Sequence, residues 1–249
     1  MIHVGVAVAN GMLKPPVPSM LWIQSEVREA FGWSEDDDLK SAEGLKQALS
    51  GHSHWNFQQR EATLSRIREK LRGAEHVVVL GAAVEQTEIE AWVGRNAVFV
   101  AADGAVGVLE SYKQLACIVS DFDGAVHLDA AAREGQDIVA HAHGDNLRQW
   151  SRALSLWQHY PLPPHLVLSH QVSHHIPEMY NFGGFTDGDR ALCFVLANDV
   201  PAEKIAIVGF STGKIGAWSA TTIPVQKLKK LEWMRRIVSE LGFGDSIQT

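Results

Sequence analysis

Six short runs rich in Val, Ile and Leu constrain this chain more than any other feature: HVVVLG, AVFVAAD, ACIVSDFD, DIVAHAH, HLVLSH and KIAIVGF. They begin near residue 75 and succeed one another mostly every twenty to twenty-five residues, with one longer gap. Each run is apolar on both faces. A strand without a polar face must be covered on both sides, which is the habit of parallel sheets flanked by helices. Helical stretches such as EQTEIEAWV, HLDAAAREG and NLRQWSRALSLWQ lie between most of the runs. The alternation predicts an α/β fold, a mainly parallel, Rossmann-like sheet with helices on both faces. The longer gap, from His170 to Ala202, carries a Gly-rich loop and then a helix. The chain closes with KLKKLEWMRRIVSEL, where Leu228, Leu231, Met234, Ile237, Val238 and Leu241 share one helical face.

Before the first run the pattern is polar and helical. Leu39, Ala42, Leu45 and Leu49 recur at helical spacing, and Ser34 ahead of them reads as a helix start. The acids Asp36, Asp37 and Asp38 are read as first-turn residues favoured by the helix dipole rather than as a metal site. NFQQREATLSRIREKL reads as a further helix. The organisation expected is a helical N-terminal region over 1–72 and an α/β catalytic domain over 73–249 that includes the C-terminal helix.

The 249 residues carry 22 Lys+Arg and 29 Asp+Glu, a net charge of −7. That balance argues against nucleic acid and anionic membranes, which need a basic footprint. Hydrophobic residues at 46% exclude a disordered chain. No apolar stretch approaches a membrane helix, and the opening MIHVGVAVANGMLKPP lacks the basic start of a signal peptide. Cys117 and Cys193 are expected as buried thiols in a reducing cytoplasm.

In an open parallel sheet, ligands bind beyond the carboxyl ends of the strands. The residues just after each run are therefore informative: Gly81-Ala82-Ala83, Asp103-Gly104, Asp121-Phe122-Asp123-Gly124, Gly144-Asp145-Asn146, His170-Gln171 and Phe210-Ser211-Thr212-Gly213-Lys214. Acids, glycines and amides gather at one edge. Asp121 and Asp123, two apart in an extended segment, are expected to point the same way with Phe122 turned into the core. Paired carboxylates suit a hard cation such as Mg²⁺. In NFGGFTDGDRALCFVLAN, Gly183-Gly184 offers close backbone approach, and Thr186 or Asp187 opens a helix whose N-terminus suits an anion. Asp187 and Asp189 either join a metal-linked site or serve the helix and Arg190. Lys214 reads as a phosphate contact or a solvated loop lysine, and Asn146 as a ligand contact or a helix cap. His141, His143, His170, His174 and His175 are read as hydrogen-bonding or substrate-contacting groups rather than zinc ligands. VVVLGAAVEQ lacks a dinucleotide fingerprint. Trp150 and Trp157 are expected in the core, and Trp218 is the stronger candidate for a ring in the site.

AADGA (101–105), SDFDG (120–124), HAHGDN (141–146), NFGGFTDGDRA (181–191), KLKKL (227–231) and the opening FGWSEDDDLKSAEGL together resemble the archaeal 6-hydroxymethyl-7,8-dihydropterin pyrophosphokinase family, over nearly the whole chain. The resemblance implies a thiamine-pyrophosphokinase-like fold and transfer of the ATP pyrophosphoryl group to the pterin hydroxymethyl, releasing AMP, in tetrahydrofolate or methanopterin synthesis. It also implies a homodimer. By position, Asp103, Asp121, Asp123 and Asp145 correspond to the acidic set holding Mg²⁺-ATP. Asp121, Asp123 and Asp145 are the expected catalytic acids. Gly81, Asp103, Asn146, Gly183, Gly184, Thr186 and Lys214 are the expected ligand-binding positions. The chain departs from the family's pattern at Gly81-Ala82-Ala83-Val84-Glu85-Gln86, where the family has a GAGPSL-like loop. It departs again at GFSTG, where Ser211 replaces an acid. The alternative readings are thiamine pyrophosphokinase, a metal-dependent nucleotide-sugar transferase, and a non-enzymatic nucleotide-binding protein.

Overall fold

A computed structural model describes residues 15–219 and 223–248. The signal-peptide reading concerns residues 1–14 above all and lies outside the described residues. The six apolar runs form β1 (His76–Leu80), β2 (Ala97–Ala102), β3 (Leu115–Ser120), β4 (Asp137–Ala142), β5 (His165–His170) and β6 (Ile205–Val208). They pair in the order β5-β4-β3-β2-β1-β6, every pair parallel.

Strand alternation supplies two cores. Val78, Leu80, Phe99, Ala101, Ile118, Ile138, Ala140, Leu166 and Leu168 face one side. Val77, Val79, Val100, Cys117, Val119, Val139 and Val167 face the other. The first side is covered by α2 (Glu35–Leu49), the short α4 (Gln86–Glu90), α5 (Ala125–Arg133) and α6 (Leu147–Trp157). The second is covered by α1 (Ser19–Phe31), α3 (Phe57–Gly73), α7 (Asp187–Ala197) and α8 (Pro224–Glu240).

The N-terminal helices are parts of both layers. Met20, Ile23, Val27, Leu45, Leu49, Leu64, Ile67 and Leu71 are all buried. At about 2 kcal/mol per fully buried large apolar side chain, each helix is held to the sheet far more firmly than a surface appendage. α1 was legible only as general helical character. Its buried stripe includes Gln24 and Arg28, which break the apolar repeat. Ser34 caps α2, accepting from the Asp36 N–H at 3.1 Å.

Asp38 stands in the first turn of α2 as expected, and it does more than meet the helix dipole. It is buried and accepts from the Gly144 N–H (2.8 Å), Gln171 Nε2 (3.0 Å to each oxygen) and Arg28 Nη1 (3.4 Å). It thereby ties α2 to the loops after β4 and β5. On α8, Met234, Ile237 and Val238 are buried as expected, but Leu228 is exposed. Cys117 and Cys193 are buried free thiols. No helix among the described residues is long and apolar enough to cross a membrane.

The chain steps outward from β1 to β5, then returns through α7 to place β6 on the other side of β1. That reversal opens a crevice at the carboxyl ends of β1 and β6.

Candidate active site

The crevice deepens into an open cavity of about 1120 Å³, solvent-filled space included, lined by residues from the loops beyond the strands and from α8. Gly81 and Gly209 form its floor beside the switch point. A Cβ on Gly81 would meet the Gly209 carbonyl oxygen at 2.5 Å. Gly209, with φ of +68°, would meet the Val84 N at 2.1 Å. The two loops touch backbone to backbone, and only glycine permits it.

Asp103, Asp121 and Asp187 converge at the centre, each offering a carboxylate oxygen within 4.8 Å of the others. Asp103 stands directly after β2 with φ of +46° and is fixed by the Ser120 hydroxyl, which donates to its Oδ1 at 2.5 Å. The Ser120 oxygen also accepts the Phe122 N–H at 2.8 Å. That bond, with Phe122 at φ of +74°, turns the chain out of the strand. Phe122 still enters the core against Trp157. The turn corrects the expectation that Asp121 and Asp123 are parallel neighbours in an extended segment. Asp121 faces the acidic group, whereas Asp123 lies on the cavity wall outside it. Asp187 arrives from the other direction, at the first turn of α7, and pairs with buried Arg190 Nη1 at 2.8 Å.

The electrostatics suit a cation. Burial, then the charges of Asp187 and Asp121, push the Asp103 carboxyl well above the usual range. Burial and Asp121 push Asp187 up to about 7. Burial and Asp121 raise Asp123 to about 6. Burial would raise Asp121 too, but the bond and charge of His143 overrule it and hold that carboxyl below its usual range. His143 lies between Asp121 (3.2 Å) and Asp145 (2.7 Å). Burial opposes its charge, yet the two carboxylates carry it up to about 9. Crowded carboxylates that cannot all ionise are stabilised by a divalent ion, and a hard cation takes carboxylate oxygens together with water and phosphate oxygens. The residues present fit Mg²⁺.

The cavity also has a basic wall: Lys227 and Lys230 of α8 and Lys214 all line it. Lys214 pairs with Glu85 at 3.0 Å, so the altered Gly81–Gln86 loop contributes Glu85 to the rim. Glu85 also forms the capping box of α4 with Glu88. Ser211 lines the cavity and accepts the Gly213 N–H at 3.2 Å.

Of the remaining sequence candidates, Gly81, Thr186 and Lys214 line the cavity, whereas Asp145, Asn146, Gly183 and Gly184 do not. Asp145 is exposed and reaches the acids only through His143. Asn146 is buried, donates to the Asp121 and His141 carbonyls and accepts from the Ser41 hydroxyl and the His143 N–H. It braces the loops after β3 and β4. Both glycines have φ of +85°, and added Cβ atoms would strike Met20 and Arg190. They let this loop close against α1 and α7 rather than against the cavity. Thr186 is the α7 N-cap, and its hydroxyl donates to Asp189 at 2.6 Å. Asp189 is consumed by that capping box. Trp150 and Trp157 are core residues, and Trp218 lines the cavity.

Sequence reasoning left Asp187 undecided and missed Trp33 as a cavity-lining residue, whereas His143 and Gln171, both singled out in the sequence, do line the cavity. For Asp187 the signal was present: an acid directly after the helix cap, shortly beyond two glycines.

No protein-family model matches the chain, and no solved structure matches it. Three curated archaeal proteins do, each named 6-hydroxymethyl-7,8-dihydropterin pyrophosphokinase. The Pyrococcus furiosus protein is 33% identical over 220 residues, covering 85% of this chain and 87% of that protein. The Methanocaldococcus jannaschii protein is 28% identical over 237 residues, covering 87% and 92%. The Methanothermobacter thermautotrophicus protein is 33% identical over 153 residues, covering 57% and 62%.

Proposed function

The chain belongs to the 6-hydroxymethyl-7,8-dihydropterin pyrophosphokinase family, and from that premise we propose that its cavity performs a Mg²⁺-dependent pyrophosphoryl transfer from ATP to 6-hydroxymethyl-7,8-dihydropterin. The products are the pterin diphosphate and AMP, in tetrahydrofolate or methanopterin synthesis in the cytoplasm. The observation that carries this reading is the meeting of Asp103, Asp121 and Asp187 at the switch point, in one cavity with Lys214, Lys227 and Lys230.

In this reading Asp103, Asp121 and Asp187 hold the ion, and Asp123 and Asp145 complete the acidic surroundings. Mg²⁺, when bound, offsets the charge of the phosphates. The three lysines meet the remaining phosphate charge. His143 orients Asp121, and Asn146 fixes the loops that carry Asp121 and His143. Gly81 and Gly209 leave the backbone open to close approach. The pterin hydroxymethyl oxygen attacks the β-phosphorus, the bond between that phosphorus and the α–β bridging oxygen breaks, and AMP departs. The hydroxyl proton passes to a carboxylate of the site. Little covalent work falls to the protein, so positioning and charge neutralisation carry the rate.

The test is AMP release from ATP with 6-hydroxymethyl-7,8-dihydropterin, thiamine or no acceptor, and sugar release from nucleotide sugars. AMP formed with the pterin alone supports the reading. AMP with thiamine alone, or sugar release without AMP, overturns it.

A further inference from the structure

The cavity carries two aromatic walls of different character. Trp218 forms one, its indole N–H donating to the Val84 carbonyl at 2.9 Å and its ring edge-on to His127. The other is built around Trp33, contributed from far away in the sequence. Trp33 is the single residue between the α1 cap, Gly32, and the α2 cap, Ser34. Its N–H donates to the Arg28 carbonyl at 2.9 Å, so the backbone is clamped where the two helices meet. The indole stacks on Phe31 with centroids 4.7 Å apart and 23° between planes. It tilts against Phe185 at 6.0 Å. Lys230 Nζ lies 5.3 Å from the indole centroid and 5.9 Å from the Phe185 ring.

With all these neighbours, Trp33 remains 39% exposed and lines the cavity. Leaving a large apolar ring in water costs free energy, and nothing in the packing of α1 on α2 needs an indole there. Phe185 precedes the cap of α7 by one residue, and Asp187 comes directly after that cap. The aromatic wall is thus joined by two residues of chain to the acidic group. Lys230 borders both places, since it lines the same cavity as Asp121 and Asp187.

We propose that Trp33, backed by Phe31 and flanked by Phe185, is the stacking platform for the fused planar heterocycle of one of the two substrates, and so a specificity-determining residue. Both a purine and a dihydropterin present such a face, and aromatic stacking recognises the face rather than the edge. The inference rests on the pyrophosphokinase reading, because that reading supplies two flat substrates to one cavity. A phosphate tail leading from Trp33 passes Phe185 and Lys230 on its way to Asp187.

The test compares Trp33→Ala and Trp33→Phe with the unmodified protein. Steady-state kinetics vary each substrate in turn, and calorimetry measures binding of the pterin alone and of a non-hydrolysable ATP analogue alone. Product formation by the unmodified protein is scored first and bears on the functional reading by itself. Trp33→Ala is expected to raise KM and Kd about tenfold for one substrate, leaving the other and kcat within about threefold. Trp33→Phe should restore most of the loss. The substrate affected identifies which ring stacks. Unchanged affinities in Trp33→Ala, equal weakening of both substrates, or loss of kcat alone would overturn the proposal. Thermal melting accompanies both variants, and a melt unchanged beside a one-substrate defect is the expected pattern.

Discussion

His143 Nδ1 lies 2.7 Å from Asp145 Oδ1, while its Nε2 faces Asp121 Oδ2 at 3.2 Å. The exposed acid of the HAHGDN segment therefore acts on the acidic centre through an imidazole. A partner that orients a ligand in this way tunes affinity instead of creating it, and its loss typically costs roughly ten- to a hundredfold. Asp145→Asn is expected to raise the Mg²⁺ concentration needed for half-maximal turnover about tenfold. The pKa of His143 should fall from about 9, because Asp145 is one of the two carboxylates that hold it there. Proton NMR of the imidazole and a Mg²⁺ titration check both. A dead Asp145→Asn enzyme would instead mark Asp145 as a direct ligand.

Asp187→Asn removes one of the three converging carboxylates while keeping an oxygen for Arg190. The expected outcome is a loss of about a hundredfold or more in kcat/KM at ordinary Mg²⁺, partly recovered at high Mg²⁺, with circular dichroism unchanged. Activity within about threefold of the unmodified protein would remove Asp187 from the metal group.

Asp38 is a brace rather than a site residue. Asp38→Ala strands the Gly144 N–H and the Gln171 amide in a buried place and leaves the Arg28 guanidinium with the half-exposed Glu35 as its remaining carboxylate. Removing one partner of a buried charged network costs about 3 kcal/mol or more. Urea unfolding should show that loss. A change below about 1 kcal/mol would contradict it.

Burial, reinforced by the charges of His174 and His175, lowers the His170 pKa from 6.5 to about 3. The unfolded chain takes up a proton below pH 6.5 and the folded one does not. Stability is therefore whole above pH 6.5 and falls as the pH drops toward 3. At about pH 5 the expected loss is about 2 kcal/mol from this group. Urea midpoints near pH 7.5 and pH 5, taken for the unmodified protein and His170→Asn, check it. The difference between the two proteins should narrow at the lower pH, and an equal difference at both would contradict the assignment.

The six strands were legible because a run apolar on both faces has few other ways to be buried. Their carboxyl ends pointed to Asp103 and Asp121 for the same reason. Asp187 was harder, since an acid in the first turn of a helix is already accounted for by the helix itself. Gly183 and Gly184 were read toward a ligand, but close backbone approach serves packing equally, and here Met20 and Arg190 are what they approach. Asn146 carries no mark in sequence that separates a brace from a binder. Trp33 was invisible because its place depends on how the α1–α2 pair docks, a long-range relation that periodicity does not encode.

The decisive measurement is mass spectrometry of a reaction containing ATP, Mg²⁺ and 6-hydroxymethyl-7,8-dihydropterin, repeated with excess EDTA. Metal-dependent pyrophosphoryl transfer predicts the pterin diphosphate and AMP in equal amounts, both absent when the metal is chelated. A pterin monophosphate with ADP, or the same products with the metal removed, would contradict it.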